Sequence, residues 1–279
     1  MRRLLLITSC LLLTVPATAT AASTSVTRAA NYLVRSQSPN GCLGDRTGTG
    51  WGAIALRAAG KRSAARRAAV CFSHTAGPLT TATDRELGIM AAVAGGISPR
   101  HVGGRDLVRA LERSRRGGYY RGSSTNGAIF GVLALRAAGR PVPRAVVRQI
   151  LRDQSSGGGF DYFPEGAQAD MTAAGIQALK AAGLSCSSRP VRRALVALER
   201  FRVGGGYVLG IGQRPNAQST AWAVQARVAC NRPVTSSLRW LKARQGADGS
   251  VRYGPVEVGR IWVTGQVIPA LARRWWPIR

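Results

Sequence analysis

A glycine followed two positions later by an apolar or aromatic residue recurs six times along the chain, so internal repetition governs its fold. The six pairs are Gly41/Leu43, Gly77/Leu79, Gly117/Tyr119, Gly158/Phe160, Gly205/Tyr207 and Gly249/Val251. Successive glycines are 36 to 47 residues apart, which is the period of a repeated helical hairpin. In three repeats a glutamine stands four positions before the glycine, at Gln37, Gln154 and Gln245.

Each repeat glycine separates two different helical patterns. The segment before it, such as 146–151, has apolar residues three and four apart with arginines between them, which is typical of a helix with one solvated face. The segment after it, such as 173–179, is small or apolar on nearly every side, which is typical of a buried helix. The sequence therefore predicts an all-α protein of six outer–inner helix pairs.

Such pairs can curl into a closed α/α toroid or remain an open α-solenoid. An open array needs terminal repeats with a polar outer face, and no such capping repeat is visible here. We therefore predict a closed toroid with the inner helices around its axis, and the open solenoid is the structural alternative.

The first 22 residues have the pattern of an export signal. Arg2 and Arg3 precede an apolar stretch, 4–15, that is too short to span a bilayer, and small residues follow at 19–21. We predict a cleaved signal peptide over 1–22, a secreted or extracytoplasmic protein, and one toroid domain over 23–279. No later apolar run approaches the length of a membrane span.

Four cysteines remain after the signal: Cys42, Cys71, Cys186 and Cys230. An even number of cysteines in an oxidising compartment favours disulfides. The cysteines form no CxxC pair, so no metal site is predicted. The expected pairs are Cys42–Cys71 and Cys186–Cys230, each joining neighbouring repeats.

The formal net charge is +28, nearly all of it from arginine. A charge of this size attracts polyanions, but the arginines are scattered over every repeat. We therefore predict weak, non-specific contact with anionic cell-surface polymers, and the alternative is a dedicated polyanion site. No nucleic-acid recognition module is present, so nucleic acid is not an expected partner.

The segment from Trp240 to Val251 resembles the QW repeat of squalene–hopene cyclases. The segments from Gln37 to Leu43 and from Gln154 to Phe160 have the same spacing. Leucine, phenylalanine or valine replaces the QW tryptophan, so the resemblance is to the wider terpenoid cyclase and protein prenyltransferase superfamily. It covers nearly all of the chain after the signal, and it implies an α/α toroid with an axial cavity.

The catalytic motifs of that superfamily are missing. The chain has no Asp-x-Asp-Asp acid motif, no Asp-x-Cys pair for zinc and no Gly-Cys-Gly-Glu-Gln thioester string. Fold transfers through such a resemblance, whereas activity transfers only through site residues. The sequence therefore assigns no catalytic residue and no cofactor, and it favours a protein that is not an enzyme.

A few side chains are candidate ligand contacts. Asp170, Asp84 and Glu86 fall near the starts of inner helices, where a carboxylate also acts as an ordinary helix cap. Asn126 and Gln218 occupy positions equivalent to Asp170 in other repeats. Together these five polar groups would surround the mouth of the toroid.

The inner helices also carry Trp51, Phe130, Trp222 and Trp262, which either line the axis or pack as ordinary core residues. We predict a monomeric binding or scaffolding toroid for an apolar or amphipathic small molecule. Two alternatives remain. One is a channel that is plugged by its own side chains. The other is a divergent terpene cyclase or prenyltransferase-type enzyme that acts on an isoprenoid or glycan through its rim carboxylates.

Overall fold

The computed structural model describes residues 24–75, 77–162, 166–254, 256 and 258–279, so the expected signal at 1–22 lies outside the described residues. In this part of the chain the outer helices are α1 (Thr24–Ser36), α3 (Arg62–Thr75), α5 (Leu107–Ser114), α7 (Arg144–Asp153), α9 (Arg189–Glu199) and α11 (Thr235–Lys242). The inner helices are α2 (Arg46–Ala58), α4 (Ala82–Ala94), α6 (Thr125–Ala137), α8 (Ala169–Ala181), α10 (Ala217–Ala229) and α12 (Arg260–Leu271).

Two short hairpins connect outer to inner helices in repeats 3 and 5. The strands β1 (Arg115–Arg116) and β2 (Tyr119–Tyr120) pair antiparallel, and so do β3 (Arg202–Val203) and β4 (Gly206–Tyr207). They are local turns, since each hairpin is a sheet of two strands.

The inner helices form a closed ring. Each one packs against the next from α2 to α12, and α12 packs against both α2 and α1. This closure confirms the α/α toroid and rules out the open solenoid. It also explains the missing capping repeat, because a closed ring has no exposed end to cover.

Small residues allow neighbouring inner helices to approach closely. A Cβ atom added at Gly50 of α2 would lie 2.9 Å from Cγ of Leu87 on α4. A Cβ atom added at Gly265 of α12 would lie 3.4 Å from the main-chain carbon of Trp51 on α2. The abundance of Ala and Gly on the inner helices is thus a packing requirement of the ring.

The repeated glutamines connect consecutive repeats. Gln245 Nε2 donates to the carbonyl oxygens of Gly249, at 3.1 Å, and of Ser25 at the start of α1, at 2.9 Å. Gln37 and Gln154 make the same pair of bonds, each to its own repeat glycine and to the first turn of the next outer helix. The bond from Gln245 joins repeat 6 to repeat 1 and so closes the ring.

The glycine of this motif cannot carry a side chain. Gly249 has φ +89°, in the region that favours glycine, and a Cβ atom there would lie 2.3 Å from the carbonyl oxygen of Arg28 on α1. Gly41 and Gly158 have the same φ and meet Arg67 and Arg193 in the same way. The motif is therefore the contact point between one repeat and the next outer helix.

In repeat 3 the structure places the motif one residue later than the sequence predicts. The buried aromatic residue is Tyr120, which is 1% exposed and whose ring lies against Gly131 of α6. Tyr119 is half-buried, and its hydroxyl donates to Asp153 at 2.7 Å. The β1–β2 hairpin causes this shift, since it presents Gly118 instead of Gly117 to the next outer helix, beside the Ala145 carbonyl.

Both disulfides join the expected partners. Cys42 and Cys71 have a Cα–Cα distance of 5.3 Å, and Cys186 and Cys230 a distance of 5.6 Å, both normal for a disulfide. Each bond links neighbouring repeats and is compatible with an oxidising compartment. None of the described helices has the length and apolar character needed to cross a membrane.

Candidate functional site

The inner helices run in the same direction, so their first turns surround one end of the ring, which we call the mouth. A repeated hydrogen bond sets their mutual register. A threonine Oγ1 in the first turns of four inner helices accepts from the main-chain N–H of the buried motif residue. The pairs are Thr49 with Leu43, Thr172 with Phe160, Thr220 with Tyr207, and Thr264 with Val251.

This register defines two layers along the axis. Asn126, Asp170, Gln218 and Trp262 are equivalent positions nearest the mouth, and we call them the rim layer. The residues four positions further along each helix lie one turn deeper on the same face. They are Phe130, Ala174, Gln266, Trp222 and, in repeat 1, Trp51.

The deeper layer is filled by four aromatic rings, which we call the aromatic plug: Trp51, Phe130, Trp222 and Trp276. The Trp51 centroid lies 6.4 Å from Phe130, 5.9 Å from Trp222 and 5.4 Å from Trp276. Trp222 stacks on Trp276 with centroids 5.9 Å apart. The plug fills the axis at this level, as the alternative of a channel plugged by its own side chains predicts, so a ligand of the ring would have to lie above it.

Trp262 lies in the rim layer and not in the plug. It packs against the hydrophobic cluster of repeats 5 and 6, which includes Val263 and Ala217. The equivalent position in the deeper layer of α12 is Gln266, whose Oε1 accepts a hydrogen bond of 2.7 Å from Trp222 Nε1. Trp51 and Phe130 remain half-buried, while Trp222 is only 3% exposed.

The fourth ring of the plug comes from the C-terminal segment, which sequence reasoning missed. Trp276 follows α12 and is 1% exposed, and its main-chain N–H donates to Gln177 Oε1 on α8 at 3.0 Å. Arg279 then donates to the main-chain oxygen of Arg136 at the end of α6. The segment therefore crosses the end of the ring opposite the mouth. A tryptophan pair after the last repeat was the available signal.

Asp170 is a carboxyl group held out of water in the rim layer. The residue is half-buried, but Oδ1 has no contact with solvent and no hydrogen-bond partner among the described residues. Burial raises the pKa of Asp170 to about 6, and a hydrogen bond from Ser219 opposes that rise. Burial raises the pKa of Tyr253, and the Asp170 charge adds to that rise, so this tyrosine lies near the carboxyl group.

Glu86 is buried in the core and not exposed at the rim, where the sequence placed it. It is 0% exposed, and neither carboxyl oxygen has a hydrogen-bond partner in the described chain. Burial raises the pKa of Glu86 well above its usual value, and the charge of Arg85 offsets part of the rise. Tyr120 is its neighbour: burial, followed by the Glu86 charge, raises the pKa of that phenol.

The other candidates have ordinary local roles or stay at the rim. Asp84 forms a capping box with Thr81 and an ion pair of 2.8 Å with Arg46, which fits the helix-cap interpretation. Asn126 is 9% exposed, and its Oδ1 accepts from Ser124. Gln218 is half-buried above Trp222.

The two buried acids do not form a catalytic pair. Glu86 is on α4 and Asp170 on α8, with α6 between them in the ring, and neither charge contributes to the pKa of the other. The described residues include no group of three or more His, Cys, Asp or Glu side chains that could hold a metal ion.

We expect Asp170 to give the protein's stability a specific pH dependence. Its pKa is higher in the folded state than in the unfolded chain, so the folded state binds the proton more tightly. The contribution of Asp170 to the free energy of unfolding therefore falls as pH rises from about 4 to about 6 and is level above that, a loss of about 1–3 kcal/mol. Asp170→Asn should gain that amount at pH 7.5 and have a smaller slope between pH 4 and 6 in urea titrations, while the slope that Glu86 contributes remains.

Glu112→Gln is the control for that measurement, because Glu112 forms a partly exposed ion pair with Arg140 on the outer surface. Such pairs contribute less than about 1 kcal/mol. An Asp170→Asn profile that keeps the wild-type slope between pH 4 and 6 would show that the carboxyl is not buried in solution.

Solved structures with the same architecture cover nearly the whole chain. A type II terpene cyclase from Scytonema, MstE, has a TM-score of 0.67 at 16% identity, over 89% of this chain and 96% of its own. The fold is the terpenoid-cyclase-like α/α toroid. A protein from Actinoplanes has a TM-score of 0.63 at 18% identity, over 89% of this chain and 98% of its own.

A glycosidase also has this fold, with a TM-score of 0.64 at 12% identity, over 90% of this chain and 96% of its own. The structural similarity establishes the fold, and at identities this low it leaves the activity open. No protein-family model matches the sequence, and neither does any curated protein sequence.

Proposed function

We propose that this protein is a secreted, monomeric toroid domain over residues 23–279 that binds an apolar or amphipathic small molecule at the mouth of its ring. The ligand rests its apolar part on the half-buried rings of Trp51 and Phe130. Its polar group is held by the rim layer, where Asn126, Asp170 and Gln218 converge. No cofactor and no chemical change of the ligand are part of this proposal.

The orphaned oxygen of Asp170 carries the proposal. A buried polar atom without a partner costs about 1–3 kcal/mol, so such an atom in a folded protein requires a reason. Oδ1 of Asp170 lies one helical turn above the aromatic layer, beside Ser219 and Tyr253. A ligand hydroxyl or amine reaches Oδ1 only by displacing the side chains that cover it, and by donating to this oxygen it removes the penalty. The aromatic rings beneath then bind the apolar remainder.

One of the similar structures supports an amphipathic ligand. A variant of MstE is in complex with geranylgeranyl dihydroxybenzoate, which joins an isoprenoid chain to a polar ring. A glycosidase of the same fold is in complex with glucose, a polar ligand. The aromatic plug of this chain favours the first type of ligand over the second.

A second candidate is a divergent enzyme that acts on an isoprenoid or glycan. The observation in its favour is the pKa of Asp170 at about 6, since a carboxyl group that is partly protonated near neutral pH suits a general acid. The separation of Asp170 from Glu86 argues against the paired carboxylates of a typical hydrolase.

We expect an isoprenoid and tetrapyrrole panel to contain a ligand that raises the melting temperature of the purified protein. Asp170→Asn should lower the affinity for that ligand about tenfold, the equivalent of about 1.4 kcal/mol. Glu112→Gln on the outer face should leave the Kd unchanged. Titration calorimetry measures both. Product analysis of the same mixtures separates the two candidates, because a turned-over ligand would establish the enzyme.

Equal affinity of Asp170→Asn and wild type would remove Asp170 from the site. A panel without any melting shift, together with unchanged Trp fluorescence, would reject the small-molecule proposal itself.

A further inference from the structure

Four arginines surround one open cleft on the outer face of repeats 4 and 5. The cleft has a volume of about 620 Å³ and is lined by Ser156, Gly157, Arg189, Arg192, Arg193, Val196 and Arg200. Of the four arginines, Arg189, Arg192 and Arg193 lie within α9, and Arg200 follows its last residue. All of them except Arg193 are exposed. From Arg189 to Arg200 the helix rises ~16 Å. We call these four residues the arginine cleft.

The charge of the arginine cleft is not compensated. No carboxylate in the described part of the chain forms an ion pair with any of the four guanidinium groups. Glu199, the acidic residue of α9, pairs instead with Arg202 and Arg227 and lines the neighbouring cleft, which Arg192 also borders. Four like charges around one concavity repel each other, so an anion bound there is stabilised by all of them.

The side chain of Arg193 is held in place by hydrogen bonds at the cleft. Its Nη2 donates to the carbonyl oxygens of Ser155, at 2.9 Å, and of Ser156, at 2.7 Å. Its own main-chain oxygen is the one that a Cβ atom at Gly158 would meet. Arg193 therefore serves the contact between repeats, whereas no such bond within the described ranges accounts for Arg189, Arg192 and Arg200.

The other outer helices with the same contact point lack this concentration. Gly41 and Gly249 meet Arg67 of α3 and Arg28 of α1, which are therefore equivalent to Arg193. The positions equivalent to Arg189, Arg192 and Arg200 are Ser63, Arg66 and His74 in α3, and Thr24, Thr27 and Arg35 in α1. Arginine at all three positions distinguishes α9, although the net charge of the chain is spread over every repeat.

We propose that the arginine cleft binds a linear polymer that bears phosphate groups, independently of the small-molecule site at the mouth. The planar guanidinium group matches phosphate oxygens in pairs and is always charged. A length of ~16 Å exceeds the reach of a single phosphate, so several phosphates along one chain engage the arginines together.

The test uses long-chain polyphosphate as the probe and two triple variants of equal charge. Arg189→Gln/Arg192→Gln/Arg200→Gln removes the exposed part of the cleft and keeps Arg193. Arg109→Gln/Arg113→Gln/Arg239→Gln removes three exposed arginines from α5 and α11, so it lowers the net charge by the same amount. All six side chains are exposed, so both variants should keep the wild-type melting temperature.

In titrations at 0.15 M salt we expect the cleft variant to bind polyphosphate at least about tenfold more weakly, and the control variant to stay within about twofold of wild type. The slope of log K against log salt should fall by about 2 in the cleft variant alone, because fewer counterions are released. Orthophosphate at equal phosphate concentration should bind far more weakly than the polymer.

Three results would overturn the proposal. Equal weakening of both triple variants would mean that the total charge and not the cleft attracts the polymer. Equally tight binding of polyglutamate would reject the assignment to phosphate. Binding to anionic phospholipid vesicles that is stronger than binding to polyphosphate, and is lost in the cleft variant, would assign the arginines to a membrane surface.

Discussion

Trp276→Ala is expected to lower the free energy of unfolding by about 3–5 kcal/mol, the usual cost of truncating a buried tryptophan. The ring is 1% exposed and packs against Trp51 of α2 and Trp222 of α10, while its main-chain N–H bonds to Gln177 of α8, which is opposite α2 in the ring. Removing it leaves a cavity that six packed helices cannot collapse to fill. Denaturation in guanidinium chloride measures the loss.

Trp275→Ala is the matched control, because Trp275 is the neighbouring tryptophan and is only half-buried. We expect it to cost clearly less than Trp276→Ala. A dry cavity lined by apolar side chains also binds small apolar molecules, so benzene should raise the melting temperature of Trp276→Ala and not that of Trp275→Ala. Equal losses in the two variants would mean that the C-terminal segment does not enter the ring in solution.

The ring architecture was predictable because its contact points are local in sequence. Gln245 and Gly249 are four residues apart, yet the two together specify how the next outer helix is bonded and approached. The same pair of residues recurs in repeats 1 and 4, which makes the repeat visible in the sequence. The error in repeat 3 has a physical reason: Gly117-Gly118 is followed by Tyr119-Tyr120, so two registers fit the motif, and only the hairpin decides between them.

The contents of the axis were not predictable in the same way. Trp262 stands two residues before the register threonine Thr264, whereas Trp222 stands two residues after Thr220, so Trp262 lies one turn nearer the mouth. That register rests on a hydrogen bond between residues 13 apart, which only the structure shows. The position of Trp276 depends on a non-repeated segment that bonds to Gln177, a partner 99 residues away, and this relation has no local pattern.

The different locations of the two buried acids could not be predicted from the sequence either. Asp170 and Glu86 both stand near the start of an inner helix, and sequence position alone predicted one location for both. The side chain at position 170 belongs to the rim layer, whereas the one at position 86 is enclosed beside Tyr120. Asp170 is the second residue of α8 and Glu86 the fifth of α4, and this difference of three positions places the two side chains at different levels and angles around their helices.

Removing the disulfide between Cys186 and Cys230 by double substitution with serine is expected to cost about 4 kcal/mol. The bond closes a span of 44 residues, and the entropy that a cross-link of this length removes from the unfolded chain corresponds to that value. The Cys42–Cys71 bond closes a shorter span, of 29 residues. Its removal in Cys42→Ser/Cys71→Ser should therefore cost slightly less. Both losses are measured by urea denaturation of oxidised protein.

Reduction supplies the internal check for both disulfides. Dithiothreitol should lower the stability of wild type by more than that of either double variant, and it should leave the variant that lacks all four cysteines unchanged. The serine variants also separate two effects of the bond. If its contribution is entropic, Cys186→Ser/Cys230→Ser should destabilise the protein without altering its affinity for ligand at the mouth, because the cysteines follow α8 and α10 at the opposite end of the ring. A wild-type protein whose melting temperature is insensitive to dithiothreitol would contradict the expected cross-links.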